Sequence, residues 1–351
     1  MWDAFHPACA IPILRSKKPG IYANRTGGDA VTTAPKPSPA TIEVIVFPGG
    51  FNWPIWVADA QGYFAARGLT VRLTPTPGSI FQLTNLIDGK FDIAMTAIDN
   101  LIAYNEGQGE APTATKPDLV AVMGGDTGFL HLVTVPEIAS VAALKGKELS
   151  VDARTTGYAF VLRKLLERGG LAESDYSLVK AGGVLERFQA LMEKKHAGTL
   201  LLSPFELMAS AKGFHDHGGA IDTFGHYQGL VAGVRRDWAR SHRTELVAYI
   251  AAYIAAIDWL YRPENKPAAI EILRKNLPQL APEMAEKVYG VLLDPRHGFT
   301  RGARIDLEGV KTVIELREQY GEPQKSLGRP ERYIDLAYYS EATGSSEATG
   351  R

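Results

Sequence analysis

Between residues 41 and 126 the apolar positions switch repeatedly between two periods. Thr41–Phe47 alternates around β-branched residues and stops at Pro48-Gly49-Gly50, which predicts a strand followed by a loop. Pro54 sits where a first-turn proline belongs, and Val57, Ala60 and Phe64 follow at spacings of 3 and 4. That predicts a helix over Trp53–Ala66, closed by Gly68. Leu69–Leu73 is the next strand. Ser79 is a candidate N-cap, with Ile80, Leu83 and Ile87 as the buried stripe behind it. Asp92–Met95 predicts a strand, Ile98–Asn105 a helix, and Leu119–Met123 a strand ending at Gly124-Gly125-Asp126.

A second block repeats the alternation. Strands are predicted at Glu148–Val151, Ser177–Lys180, Thr199–Leu202 and Leu230–Val234. Helices are predicted from Thr155-Thr156-Gly157 to Gly169-Gly170, over Leu185–Lys195, and from Pro204 onward. After Asp237 the chain turns helical: Leu246, Ile250, Tyr253, Ile257 and Leu260 follow one another at 4, 3, 4 and 3. Ala268–Lys275, Pro282–Leu293 and Leu307–Tyr320 continue it. The order predicts an α/β protein of two lobes, each a mostly parallel sheet flanked by helices, with a helical C-terminal part.

The two ends break the pattern. Residues 1–41 carry six prolines, Gly27-Gly28 and scattered basic residues, and one short apolar stretch, Ala8–Leu14, interrupted by Pro12. They are expected to be a disordered leader or a degenerate export signal. Residues 340–351 repeat Glu-Ala-Thr-Gly and are expected to be a disordered tail.

Composition narrows the classes. The 351 residues carry 38 basic and 39 acidic side chains, a balance that gives no support to a nucleic-acid partner. Cys9 is the single cysteine, which excludes an intramolecular disulfide and a cysteine-cluster metal site. Phosphate-loop, nucleophile-elbow and zinc-helix motifs are missing from the sequence. His215-Asp216-His217, with His226 nearby, is read as a solvated loop rather than a metal site, and Glu148 and Asp152 as ordinary strand-end carboxylates.

The candidate site residues lie where strands end and helices begin, the place where open α/β sheets bind ligands. Free backbone N–H groups and the helix dipole there favour anions. The first strand leads to Asn52 and Trp53, and the second to Ser79. Thr96, Asp99 and Asn100 follow the third. Arg154, Thr155, Thr156 and Gly157 follow Val151 at a helix start, with Arg154 as the charge for an anionic ligand group. Trp53 and Phe205 are candidate aromatic platforms.

Phe51–Val71, with Gly62-Tyr63-Phe64 and Gly68-Leu69 at its end, resembles the opening of type II periplasmic binding proteins. The similar subgroup comprises the aliphatic sulfonate, taurine, nitrate and thiamine-precursor binders. Pro77–Ala94, ending in Gly89-Lys90-Phe91-Asp92-Ile93-Ala94, resembles their next element. Leu144–Val151 resembles their passage into the second lobe, and Val231–Trp238 their return. The resemblance runs from about Ile42 to Leu260. It implies a lobe of residues 42–127 and 233–339, a second of 128–232, and crossings near Asp126–Val135 and His226–Val234. Asp126 and Tyr227, at those crossings, complete the candidate set.

The implied function is that of a solute-binding protein of an ABC importer. It would be monomeric, without cofactor or metal, periplasmic or extracellular and membrane-associated, and would meet its permease transiently. It would close on a small organic ligand, anionic or heteroaromatic. Enzymes occur on the same scaffold. Precursor synthases and desulfinases there need cysteines that this folded body lacks, whereas a dehydratase needs only polar groups and a shaped pocket. A sensor module is a third reading, without a helix-turn-helix to serve it. The Gly107–Pro117 segment looks like an insertion with no assigned role.

Overall fold

The computed structural model describes residues 38–345. The expected leader and Cys9 fall on residues 1–37, and the end of the expected tail on 346–351, outside the described residues. The first strand begins at Ala40, within the stretch assigned to the leader.

Ten strands form two five-stranded sheets among the described residues. They are β1 (Ala40–Val46), β2 (Leu69–Pro75), β3 (Ile93–Ala97), β4 (Leu119–Gly124), β5 (His131–Thr134), β6 (Lys147–Val151), β7 (Tyr176–Lys180), β8 (Gly198–Leu201), β9 (His215–Gly219) and β10 (Leu230–Arg235). The first sheet has the order β2-β1-β3-β10-β4 and the second β7-β6-β8-β5-β9. β10 runs antiparallel to both its neighbours, and so does β5. In each sheet the inverted strand is the first one laid down after the chain crosses over. The other four point one way, so their carboxyl ends gather on one edge.

The helices between strands are α1 (Trp53–Ala60), α2 (Ser79–Ile87), α3 (Ile98–Asn105), α4 (Gly157–Arg168), α5 (Val184–Met192), α6 (Phe205–Ser210) and α7 (Ala220–Phe224). The C-terminal part holds α8 (Arg236–Ser241), α9 (Arg243–Leu260), α10 (Lys266–Asn276), α11 (Pro282–Leu292), α12 (Leu307–Tyr320) and α13 (Ala337–Thr343). No single helix among the described residues is long and apolar enough to cross a membrane. α9 is buried along its length, with Leu246, Tyr249, Ile250, Tyr253 and Ile257 at 0% exposure.

Four expectations need correction. The helix from Trp53 stops at Ala60, because Gly62 takes a φ of 69°, and a separate 3-10 turn, Ala65–Arg67, ends on Gly68. β9 replaces the solvated loop expected at His215–His217: Asp216 bonds the His131 ring at 2.9 Å and His217 meets Thr134. The tail expected from residue 340 is helical to Thr343. α13 buries Tyr338, and its Glu341 is bonded by Arg243 Nε at 2.7 Å. Finally, the chain returns to the first sheet at Leu230, so the second crossing occupies 220–229 and ends earlier than His226–Val234 implied.

The crossings, 125–130 and 220–229, are stitched to each other. Gly229 N–H donates to the Asp126 carbonyl at 3.2 Å and Ala220 N–H to that of Leu130 at 2.9 Å. Asp126 Oδ1 accepts from Gly128 N–H at 2.7 Å and Leu230 N–H at 3.0 Å.

Candidate ligand cleft between the two lobes

The carboxyl edges of the two sheets face each other across a cavity of about 550 Å³, part of it open to solvent. The first lobe brings Phe47 and Phe51 after β1, Thr96 and Ala97 from β3, and Asn100 from the first turn of α3. The second brings Asp152 and Tyr158 from either side of the β6–α4 loop, Val184 and Arg187 from α5, and Leu202 after β8. Asp126 in the first crossing and Leu230, where β10 begins after the second, close the cavity.

Backbone and side-chain bonds hold the lobes together around it. Ser79 N–H donates to Asp152 Oδ2 at 2.9 Å, Gly183 N–H to the Pro77 carbonyl at 2.8 Å, and Gly50 N–H to the Ser203 carbonyl at 3.1 Å. The Gly107–Pro117 segment supplies a further tie. Its Glu110 carboxylate accepts from Thr155 Oγ1 at 2.5 Å and Thr155 N–H at 3.3 Å, and pairs with Lys180. Burial pushes the Glu110 carboxyl up, but the Lys180 and Thr155 bonds outweigh it and the net shift is downward.

Two charged groups in the lining stand out electrostatically. Asp126 is 1% exposed, and burial, only partly offset by the Leu230 and Gly128 N–H bonds, pushes its carboxyl up to about 6. Its Oδ2 is buried without a partner. Arg187 is 4% exposed; Nη1 donates to the Gly182 carbonyl at 2.9 Å and Nη2 to that of Leu200 at 3.3 Å. Burial lowers its guanidinium pKa.

Of the residues expected from sequence, Thr96, Asn100, Asp126, Thr156 and Gly157 line the cavity. Asn100 Nδ2 donates to Thr96 Oγ1 at 2.9 Å, and Thr156 Oγ1 to the Ala153 carbonyl. Gly157 is required by packing: a Cβ there would sit 2.4 Å from Asp99 Cγ.

The others serve elsewhere. Trp53 is not a platform: its ring is wholly buried, with Nε1 donating to the Ala269 carbonyl at 3.1 Å and the ring edge-on to Tyr289, so it ties α1 to α10 and α11. Phe205 is core, packed on Phe188 at 5.0 Å between ring centroids. Tyr227 is buried against Phe224 and Gly128. Asn52 shapes the loop of Phe47 and Phe51 by donating to the carbonyls of Phe47 at 2.6 Å and Gly49 at 3.3 Å. Gly78, not Ser79, occupies the α2 cap position. Asp99 is consumed by an ion pair with Arg317. Arg154 is exposed and outside the cavity, and Thr155 is held by Glu110, so the expected anion position at Arg154–Gly157 does not form.

Sequence reasoning missed Asp152, Tyr158 and Arg187. Asp152 is more than a strand-end carboxylate, since it meets the opposite lobe. Arg187 carries no sequence signal of its own: it lies on an ordinary amphipathic helix beside Phe188.

The fold is that of the periplasmic binding proteins. The structure aligns with the periplasmic nitrate-binding protein NrtA from Synechocystis PCC 6803 at a TM-score of 0.73 and 14% identity, over 89% of this chain and 90% of that one. It aligns with the periplasmic aliphatic sulphonate binding protein SsuA from Escherichia coli at 0.64 and 17%, over 85% and 92%. With the ligand-binding component of an ABC-type import system from Staphylococcus aureus, which has zinc bound, the values are 0.69 and 12%, over 86% and 99%. No curated protein matches the chain in sequence. The profile of the NMT1-like family matches residues 35–274. The chain belongs to the NMT1-like family.

Proposed function

We propose that this protein is the solute-binding component of an ABC-type importer and captures a small organic molecule between its two lobes. The observation that carries the reading is the cavity itself. Side chains from both lobes and from the first crossing meet at the carboxyl edges of two sheets, and bonds such as Ser79 to Asp152 close the lobes over it. Two stitched crossing segments form a hinge about which such lobes open and close. The similar solved structures include periplasmic binding proteins for nitrate and for aliphatic sulphonate, and the ligand-binding component of an ABC-type import system. A permease met transiently, a periplasmic or extracellular location and a monomeric state follow from this reading.

One observation favours a second reading: Asp126, with its carboxyl pushed up to about 6 in a cleft, has the character of a proton-transfer group, as a dehydratase would need. Native mass spectrometry of gently purified full-length protein separates the two. A binding protein retains a small molecule and releases it unchanged after hours of incubation. Conversion of that molecule moves the enzyme reading to first place.

A further inference from the structure

The cavity contains two oppositely charged side chains with bonding capacity that the protein does not use. Arg187 has five N–H donors. Two bonds, both to main-chain carbonyls, are formed within the protein. Asp152 is the acid whose charge acts most on it, yet the two form no ion pair; Asp152 is engaged by Ser79 N–H across the cleft. A buried guanidinium without a paired carboxylate is costly unless something else supplies the negative charge. Asp126 is the converse case. Oδ1 takes two N–H bonds, while Oδ2, buried at the crossing, takes none. The same lining carries apolar surface from Phe47, Phe51, Val184, Leu202 and Leu230, beside the polar Thr96, Asn100, Thr156 and Tyr158 and the already engaged Asp152.

Each simpler ligand leaves part of this lining unmatched. A bare inorganic anion would satisfy Arg187 but leave the apolar wall and Asp126 Oδ2 without partners. A neutral apolar molecule would seal both charges away unpaired, at the full desolvation cost of each. A cation would meet Asp126 and be repelled by Arg187.

We propose that the ligand is amphoteric: an acid group held by Arg187, an N–H donor held by Asp126 Oδ2, and an apolar body between them. The inference rests on the solute-binding reading and assigns the chemical class of its solute. Tyr158 also lines the cavity, and its phenol adds a donor and an acceptor to that lining.

A matched series of probes tests this with the full chain at pH 7.5: 4-aminobenzoate, benzoate and aniline, titrated by calorimetry after any retained molecule has been dialysed away under mild denaturant and the protein refolded. The two-ended probe is expected to bind at least tenfold tighter than either half. Arg187→Gln should weaken 4-aminobenzoate and benzoate at least tenfold and leave aniline within threefold, with Arg187→Lys restoring part of the loss. Asp126→Asn, which replaces the unused acceptor by a donor, should weaken 4-aminobenzoate and aniline and spare benzoate. If Arg187→Gln fails to fold, the wild-type ranking alone still decides. Equal binding of the whole probe and either half overturns the proposal, as does an Arg187→Gln loss shared equally by all three. A protein that co-purifies with a small molecule but shows no preference in this series loses the amphoteric assignment and keeps the solute-binding reading. One that retains nothing and binds no probe loses both.

Discussion

Arg317 holds Asp99 with both arms of a fork. Nε donates to Oδ1 at 2.6 Å and Nη2 to Oδ2 at 2.5 Å, and the two side chains are 0% and 1% exposed. The same Nη2 reaches across to the Thr155 carbonyl of the second lobe at 2.6 Å, and the guanidinium lies over the Phe160 ring at 4.8 Å. α12 is therefore a strut: it grips α3 in one lobe and α4 in the other. Removing one partner of a buried pair leaves the other charge stranded. Arg317→Ala should destabilise the fold by about 3–5 kcal/mol in chemical denaturation. Arg317→Lys should rescue little, because an ammonium cannot reproduce the two-armed geometry. A loss under 1 kcal/mol for Arg317→Ala would show that the pair is not a structural tie.

Trp53 gives the opposite outcome to the one its sequence position invites. Its ring fills the space between α1, α10 and α11, so Trp53→Ala should cost about 3–5 kcal/mol of stability by opening a core cavity. Ligand affinity of the folded fraction should stay within twofold. A large affinity loss at unchanged melting temperature would return Trp53 to the cleft.

The difference between these residues and the true lining shows what a linear pattern carries. Ile98–Asn105 and Leu307–Tyr320 have the predicted bounds because a period near 3.6 persists across each whole element. β5 and β9 escaped because each is short: His131–Thr134 has four residues, and His215–Gly219 holds no apolar residue to alternate. The strand-end rule brought Thr96, Asn100, Thr156 and Gly157 to the cavity lining, and the expected crossing brought Asp126. Which way a side chain leaves such a loop depends on what packs behind it. Trp53 turned inward because α10 and α11, more than 200 residues downstream in bonding terms, present a carbonyl and a tyrosine ring. Arg187 is legible only once α5 is seen against β8 and the opposite lobe.

Glu110 gives the Gly107–Pro117 segment a role as a latch. Its carboxylate belongs to the first lobe, and both its partners, Thr155 and Lys180, belong to the second. Glu110→Ala should release that tie, weakening ligand binding about three- to thirtyfold by raising koff, consistent with about 1–2 kcal/mol for a charge-assisted bond. Stopped-flow dissociation reads this directly. Unchanged dissociation would reduce Glu110 to a surface ornament of the closed form.

Stability should rise as the pH falls from 8.5 to 5.5. Burial pushes Asp126 up to about 6 and Glu206 up to about 7, the latter despite its bond from Ser203. A carboxyl whose folded pKa is raised contributes stability that is complete below its unfolded value and lost as pH rises through the folded one. His131, raised by Asp216 against the effect of burial, and His226, raised by Asp306, act in the same direction; His217, lowered by burial, opposes them. Glu206 alone accounts for about 2 kcal/mol over this interval. Below about pH 4.5 the trend should reverse as Glu106, Glu110 and Asp216, all lowered, take up protons. Thermal melts across this range should show a maximum on the acid side of neutrality, and Glu206→Gln should flatten the alkaline limb. An unaltered limb in that variant would mean that Glu206 does not titrate there.

On the proposed function, the two lobes close on a solute at the carboxyl edges of their sheets. Small-angle scattering of the full chain, freed of retained ligand and then saturated with the molecule identified by native mass spectrometry, tests it most directly. The radius of gyration should be smaller in the saturated protein, as the Ser79–Asp152, Pro77–Gly183 and Glu110–Thr155 contacts form across the cleft. A radius identical with and without ligand at saturation would contradict it.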